Sequence, residues 1–333
     1  YNTGEGMKRW PSMRKSRVST SSTPPSEQLV GDASGDHGRI AKGAEGNIQF
    51  NAKKGVIPAA GDYQNDDEMV NYFSGLKHLG RKQTNKTGDG HKMAIWAGGA
   101  MEDLGHTKML HDFDAGPGSM ANAVLAVKMD GTRFCDETCG MSLMNNFLRS
   151  DADQGNYCQI FGNNYTETAA SWPGKLFDQE AIKAYMPEEP GEKKAFRGQI
   201  ATFKADTLDE LAKKLATDAA AFKKAVERYN ELVAKGSDED FGKQAKWLTP
   251  IDTPPFYGIH RHVRVSAIVS GVNVDKHMQV LKDGTEEPIP GLFAIGNVAG
   301  NFAGVDYTMW MPGLSLGRAH TQGYVIGKYV AEL

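Results

Sequence analysis

The pattern of apolar and polar positions divides the chain into two strand-rich parts separated by a mainly helical stretch. Short apolar runs and period-two alternation predict strands before the helical stretch and again after residue 257. These strands are Ile48–Phe50, Val56–Ala60, Val263–Val269, Met278–Leu281 and Leu292–Ile295. A β-hairpin is also predicted between Val124–Met129 and Arg133–Cys135, because the intervening Asp-Gly pair suits a type I′ turn.

Helical spacing of apolar residues and end signals predict the helices. Asp89 is the expected N-cap of one helix, and the capping box Thr207–Glu210 begins another. The predicted helices are Asp66–Phe73, His91–Trp96, one from Leu208 to Leu215, one that carries Phe222 and ends at Gly236, and Leu314–Val330.

The order of these elements indicates an α/β fold interrupted by an insertion. We expect residues 31–106 and 257–333 to form one discontinuous domain, with residues 107–256 inserted as a mainly helical cap. Interfaces between such domains commonly hold ligands. Residues 1–30 combine a basic cluster with a run of Ser, Thr and Pro, which is typical of a poorly ordered lead-in.

Composition excludes several classes of protein. The 333 residues carry a formal net charge of -3, which argues against a strongly basic nucleic-acid binder. No apolar run reaches the roughly 18 residues of a membrane helix, so we expect a soluble chain. Three cysteines do not make a disulfide framework, and free thiols are expected. The chain starts at Tyr1, so the compartment stays open between a bacterial cytoplasm and the cell-envelope side.

The segment from Pro290 to Gly300 is the first candidate binding element. Its apolar strand breaks at Gly296, where the backbone can approach a bound group closely. A helix begins soon afterwards at Gly313, and its free N–H groups can hold a phosphate or an electron-rich ring edge. From spacing alone, an ordinary strand–turn–helix explains the segment better.

Five motifs in order over residues 28–333 together resemble one family. AKKGVIPAAGDY, TGDGHKMAIWAGGAM and DGTRFCDE lie in the first half, and RYNELVAKGSDEDFGK follows. The fifth motif is the C-terminal segment, in which PGLFAIGNVAG is followed by PGLSLGRAHTQGYVIGKYV. This set is similar to the FAD-dependent fumarate reductase/succinate dehydrogenase flavoprotein superfamily, nearer its 3-ketosteroid dehydrogenase-like branch.

The resemblance implies FAD, a Rossmann-like flavin domain, and a cap that closes over an alkene-bearing substrate. Members move a hydride between flavin N5 and one carbon of a C–C double bond while a side chain handles a proton on the other carbon. Asn297 stands where the fumarate-reductase branch usually has Glu and the ketosteroid branch has Asn. The positions matching flavin contacts are Ala60, Asp89, Gly296, Asn297, Ser315 and Leu316, with the backbone of Gly313 and Leu314 facing the flavin carbonyl edge.

Departures from the family argue against a dicarboxylate substrate. Met141 occupies the position of the proton-donating Arg of fumarate reductases, and Met has no proton to donate. Ala267 lies near the position of a carboxylate-binding His, and Gly304–Thr308 lacks the matching Arg. Because a dicarboxylate needs cationic partners, fumarate and succinate are disfavoured.

Tyr307 and His111 are the candidate catalytic residues. Tyr307 follows Asn297 by ten positions, the spacing of a carbonyl-binding Tyr in ketosteroid dehydrogenases, and its hydroxyl can donate to a ketone or phenolic oxygen. His111 lies one position from the family's active-site His-Pro and can bind or protonate a substrate. A partly buried aromatic residue and a satisfied histidine are the competing interpretations.

The sequence therefore predicts a flavoprotein oxidoreductase that reduces or forms an activated C=C bond of a fairly hydrophobic, non-dicarboxylate small molecule. The alternatives are a fumarate reductase/succinate dehydrogenase-type enzyme and a non-catalytic FAD-binding or electron-relay subunit. An electron-donor protein or domain is a further expected partner. No βαβ unit with a glycine fingerprint precedes AKKGVIPAAGDY, so we expect the first part of the flavin domain to be missing. His260 and His262 can chelate a metal only with a third ligand, so no metal is predicted.

Overall fold

The computed structural model describes most of the chain after its first 25 residues. The described residues are 26–32, 35–76, 79–81, 85–103, 108–111, 123–139, 141–148, 150, 152–168, 202–304, 307, 311 and 313–333.

Helices and strands alternate through these residues. The strands are β1 (Ser26–Asp32), β2 (Gly35–Gly43), β3 (Gly46–Asn51), β4 (Gly80–Arg81), β5 (Lys108–His111), β6 (Leu125–Lys128), β7 (Asn156–Phe161), β8 (Thr202–Ala205), β9 (Phe256–His262), β10 (Arg264–Ile268), β11 (Gln279–Leu281) and β12 (Pro288–Phe293). The helices are α1 (Asp67–Ser74), α2 (Asp89–Trp96), α3 (Met141–Asn146), α4 (Tyr165–Thr168), α5 (Leu208–Leu215), α6 (Ala219–Lys235) and α7 (Leu314–Glu332), with short 3-10 helices at Ala245–Trp247 and Gly296–Val298.

Four sheets organise the described strands. β1, β2 and β3 form an antiparallel meander, and β11 pairs with β12. β10 lies between β4 and β5, parallel to the first and antiparallel to the second. The fourth sheet has the order β6-β7-β9-β8 and is antiparallel throughout. The result is a mixed helix-and-sheet fold, as the sequence predicts.

The four-stranded sheet and helices α5 and α6 share one apolar core. Leu125 and Ile160 face each other across β6 and β7, and both belong to this core. Phe222, Val226 and Tyr229 of α6 lie one helical turn apart, so their side chains pack against the same sheet face. A second core cluster joins α1 and α2 to β10 and to the segment around Val298.

Local end signals explain the helices that the sequence predicts. Thr207 caps α5 by accepting a hydrogen bond from the backbone N–H of Glu210, as expected for a capping box. Gly236 ends α6 in the left-handed conformation with φ of 71°. The predicted N-cap Asp89 is wrong: Gly88 occupies that position, and Asp89 is the first residue of α2. The Asp89 carboxylate instead accepts from the Thr87 hydroxyl at 3.0 Å.

The predicted strand Val56–Ala60 does not form a regular strand. Only Val56 makes a bridge, to Leu292, and the next contacts along this segment are irregular. Pro58 explains the interruption, because its nitrogen has no hydrogen to donate to a ladder. Its carbonyl still accepts from the backbone N–H of Ile295 at 3.2 Å, which holds the segment beside the strand that leads to Gly296.

Strand pairing also moves the boundaries that the sequence predicts. β5 lies within the expected cap but pairs with β10 of the other part, whereas β9 falls mostly within the expected second part but lies between β7 and β8. β1 begins at Ser26, so residues 26–30 of the predicted lead-in belong to a strand, and the rest of the predicted lead-in, residues 1–25, lies outside the described residues. We therefore propose a cap that begins after His111 and ends at His262.

No helix in the described part of the chain is both long enough and apolar enough to cross a membrane.

Candidate active site

The site is built where the strand after β12 breaks and α7 begins. Gly296 has φ of +61°, a conformation that favours glycine, and it opens the 3-10 turn that carries Asn297. The backbone N–H of Gly296 donates to Oε1 of Gln322, two turns into α7, at 2.8 Å. This bond fixes the turn against the helix.

Tyr307, Ser315 and Asn297 meet through two hydrogen bonds at the start of α7. The Ser315 hydroxyl donates to Oδ1 of Asn297 at 3.2 Å. The backbone N–H of Ser315 donates to the hydroxyl oxygen of Tyr307 at 3.1 Å, and the Tyr307 side chain is buried. Because its oxygen accepts this bond, the Tyr307 hydroxyl hydrogen remains available for another acceptor. The N–H group beside the tyrosine is thus that of Ser315 and not that of Gly313.

Gly313 gives the helix an open end. It has φ of +85°, and among the described residues no atom outside its chain neighbours and its own helix backbone lies within 4 Å of the place that a Cβ would occupy. Leu314 and Ser315 are half-buried and Leu316 is half-exposed, so backbone at the helix start is within reach of a ligand. The first N–H groups of a helix carry partial positive charge, which suits an electron-rich ring edge such as the flavin carbonyl edge. The residues present therefore fit a flavin at this end of α7.

His91 connects α2 to the same turn. Its Nε2 atom lies 2.9 Å from the Asn297 carbonyl oxygen and 3.3 Å from the Ser270 carbonyl oxygen, so Nε2 carries the hydrogen and donates. Gly90 lets the helix approach closely, since a Cβ there would lie 3.4 Å from Cβ of Ala60 and 3.0 Å from Cγ2 of Val298. The start of α2, with exposed Asp89, and exposed Ala60 are thereby held beside the Asn297 turn.

The structure describes the surroundings of the Tyr307 side chain but not those of the His111 side chain, and the catalytic role of each stays a prediction. It brings Tyr307 to Asn297 and Ser315, as described above. His111 ends β5 directly opposite Arg264 of β10, but its side chain lies outside the described residues, so its role stays a prediction. Met141 begins α3, and its side chain also lies outside the described part.

Arg318 is a charged residue that the sequence analysis missed. It follows Ser315 by three positions on α7, and its side chain is 6% exposed. Its Nη2 atom donates to the carbonyl oxygens of Ala299 at 2.6 Å and Gly300 at 3.4 Å, and Phe302 packs over the guanidinium at 4.3 Å. Burial lowers the pKa of Arg318 to about 10, against an opposing contribution from Glu102. The signal in the sequence that could have indicated Arg318 is its position three residues after Ser315, which places both residues on one face of the predicted helix.

His260 and His262 are neutral side chains of β9. Burial lowers the pKa of His260, and burial with the charges of Arg264 and His260 lowers the pKa of His262 to about 4. Nδ1 of His262 lies 2.7 Å from Oδ1 of Asn156 on β7. Among the residues that the structure describes, no group of three metal-ligating side chains is present.

The low pKa of His262 makes stability depend on pH. His262 has a pKa of about 4 in the folded chain and about 6.5 in the unfolded chain. Between these two pH values the unfolded chain therefore binds more protons than the folded chain. Stability is therefore lost as the pH falls through this window, by at most about 2 kcal/mol between about pH 7 and pH 5. Urea unfolding at both pH values should show this loss in the wild type and a smaller one in His262→Gln. His320→Gln, an exposed histidine of α7, is the matched control, and equal losses in all three proteins would contradict the prediction.

Two solved structures confirm the fold. The open conformation of a flavocytochrome c3 fumarate reductase matches with a TM-score of 0.69 at 24% identity, covering 92% of this chain and 51% of that chain. The 3-ketosteroid Δ1-dehydrogenase of Sterolibacterium denitrificans matches with a TM-score of 0.66 at 21% identity, covering 92% and 59%. Both branches of the predicted resemblance are thus represented.

Sequence comparison finds bacterial reductases. The chain is 26% identical to a vinyl phenol reductase of Lactiplantibacillus plantarum over 318 residues, covering 88% of this chain and 63% of that protein. It is 29% identical to a urocanate reductase of Eggerthella lenta over 296 residues, covering 84% and 46%. The chain thus spans about half the length of these relatives. The FAD binding domain family model matches residues 25–315. The chain belongs to this FAD binding domain family, and its cofactor is FAD.

Proposed function

We propose that this chain carries the flavin edge and the substrate site of an oxidoreductase that reduces or forms an activated C=C bond of a fairly hydrophobic, non-dicarboxylate molecule. The observation that supports it most is the buried Tyr307 hydroxyl, held by the Ser315 N–H beside Asn297 at the start of α7. Relatives named for vinyl phenol and urocanate reduction support the reaction class.

Each residue of the site has a stated task in this proposal. FAD supplies the hydride donor or acceptor at N5. The N-terminal end of α7 would hold the electron-rich edge of the ring through backbone N–H groups other than those of Leu314 and Ser315, which donate to the Met311 carbonyl and the Tyr307 hydroxyl. Tyr307 donates its hydroxyl hydrogen to a carbonyl or phenolic oxygen of the substrate, which polarises the C=C bond. His91 and Gln322 hold the Asn297 turn in place through the bonds described above.

The substrate preference rests on side chains that are not cationic. Ala267 lies in β10 where fumarate reductases are expected to carry a carboxylate-binding His, and Tyr307 lies in the segment where they carry Arg. A dicarboxylate would enter such a site with at least one carboxylate lacking a charged partner, which costs several kcal/mol. We also propose a separate protein or domain as electron donor.

Anaerobic reoxidation of the reduced flavin tests the proposed function. The flavin of the FAD-loaded protein is first photoreduced. The absorbance of oxidised flavin, at roughly 450 nm, is then followed after addition of each substrate. A panel of neutral enones and aryl acrylates should restore the oxidised spectrum rapidly, and their saturated counterparts should not.

Fumarate is the discriminating member of the panel. Rapid reoxidation by fumarate, with none by the enones or aryl acrylates, would overturn the substrate preference and favour a fumarate reductase. If no alkene reoxidises a flavin that is demonstrably bound, the chain is a binding or relay module and the proposed reaction is wrong.

A further inference from the structure

Arg318 lies on α7 close to the proposed flavin-binding end of the helix, and the proposed function gives it no role. It is one turn along α7 from Ser315, on the same helix face, and its Nη2 atom holds the carbonyls of Ala299 and Gly300. These carbonyls belong to the segment that leaves the Asn297 turn. Arg318 is therefore anchored to the same short stretch of backbone that carries Asn297.

Most of the hydrogen-bonding capacity of this guanidinium is unused. Within the described residues, Nε and Nη1 of Arg318 are buried and have no hydrogen-bond partner. The neighbouring carboxylate of Glu102 is already engaged, since its oxygens accept from the Ser270 hydroxyl and from the backbone N–H of Asn301. Buried N–H donors without acceptors are unfavourable, so the arrangement favours a ligand that brings acceptor oxygens to Nε and Nη1.

We propose that Arg318 binds the carboxylate of a substrate that bears one carboxylate next to its C=C bond. The inference rests on the proposed function and narrows its substrate class to α,β-unsaturated monocarboxylates. A planar guanidinium with two nitrogen atoms available matches a carboxylate better than a neutral carbonyl or a phenol, which is uncharged at neutral pH.

The surroundings fit a carboxylate attached to an apolar body. Phe302 covers the guanidinium and is itself 41% exposed, so it can turn away without breaking a packed core. An aryl group of the substrate would then replace it over Arg318, with cation–π contact retained. As the C=C bond is reduced, negative charge grows on the carboxylate oxygens, and the guanidinium stabilises that charge.

The test compares an acid with its neutral ester on the FAD-loaded protein. Cinnamate and methyl cinnamate share the alkene and the ring but differ in charge. In Arg318→Met the ratio of kcat/KM for the acid over the ester should fall by about 30- to 100-fold. Arg318→Lys keeps the positive charge but loses the planar guanidinium with its paired N–H donors. Its ratio of kcat/KM for acid over ester should therefore lie between those of wild type and Arg318→Met. Arg228→Met, an exposed arginine of α6, is the matched control and should keep the wild-type ratio.

Two measurements separate this role from a structural one. Binding of the unreactive product 3-phenylpropionate, followed by the flavin spectrum, should weaken in Arg318→Met by a similar factor. The melting temperature of Arg318→Met should fall by only a few degrees, as expected for loss of the hydrogen bonds to the Ala299 and Gly300 carbonyls. An equal fall for acid and ester, or unchanged binding of 3-phenylpropionate, would overturn the inference while leaving the proposed function intact. Absence of turnover of either compound, with other enones active, would also overturn it.

Discussion

Replacement of Tyr307 by Phe is expected to lower kcat/KM for alkene reduction by about 10²- to 10³-fold while FAD stays bound. The aromatic ring keeps its packing, so the variant removes only the hydroxyl, which accepts from the Ser315 N–H and, in the proposed function, donates to the substrate. Loss of one preorganised donor to a developing oxyanion has this magnitude. The fall should appear in kcat more than in KM, because the bond strengthens in the transition state.

The control for this variant lies on the same helix. Tyr324 of α7 is 54% exposed and contacts Lys328 at the surface, away from Asn297. Tyr324→Phe should therefore retain wild-type turnover. The opposite result would be turnover by Tyr307→Phe at a third of the wild-type rate or more, with the flavin spectrum unchanged. Such a small effect corresponds to roughly less than 1 kcal/mol of activation free energy and would show that the hydroxyl is not the donor.

Local signals predicted the elements whose formation is decided locally. The capping box at Thr207 and the glycine at 236 act within one helical turn, and both were confirmed. The grouping of Asn297, Ser315 and Tyr307 was not readable from periodicity. The family resemblance, together with the ten-residue spacing from Asn297 to Tyr307, is what indicates that these residues belong together. The hydrogen bonds at the start of α7 explain that spacing.

Long-range pairing and burial could not be predicted from local patterns. β9 pairs with β7 over about a hundred residues of chain, and nothing near residue 257 shows that partner. Arg318 stands in a helix whose polar residues normally face solvent, so its burial under Phe302 became visible only in three dimensions. The residue type of Pro58, by contrast, explains locally why the predicted strand Val56–Ala60 forms only one bridge, because the proline nitrogen has no hydrogen to donate.

Two of the family-like motifs meet in one buried charge cluster of the proposed cap. Arg133 of the hairpin motif forms paired hydrogen bonds with Glu137, at 2.9 and 3.0 Å, and with Asp238, at 3.0 and 2.8 Å. Lys243 donates to Tyr229 at 2.8 Å and lies 3.1 Å from Glu137. The bonds to Glu137 hold Arg133 in place within the hairpin motif.

The charges of this cluster balance in a nearly dry environment. The side chains of Glu137, Asp238 and Lys243 are 0% exposed and that of Arg133 is 7% exposed. Burial alone would lower the pKa of Lys243, but the Glu137 carboxylate and the Tyr229 hydroxyl together more than offset it, and the pKa lies above its usual value. Two cations and two carboxylates therefore depend on one another, and removal of one charge leaves an opposite charge buried without a partner.

Glu137→Gln is accordingly expected to lower the free energy of unfolding by about 3–5 kcal/mol. Urea unfolding of the FAD-free protein measures this loss without reference to activity. Asp240→Asn is the matched control, because Asp240 pairs with Arg228 at the surface and such pairs contribute little.

The double variant Glu137→Gln/Lys243→Met removes one charge of each sign and keeps the Arg133–Asp238 pair intact. Its loss of unfolding free energy should be smaller, by about 1–3 kcal/mol, than the sum of the losses measured for Glu137→Gln and Lys243→Met separately. Additive losses would show that the residues do not act as one ionic unit, and a single-variant loss as small as that of Asp240→Asn would show that the cluster does not hold the cap together.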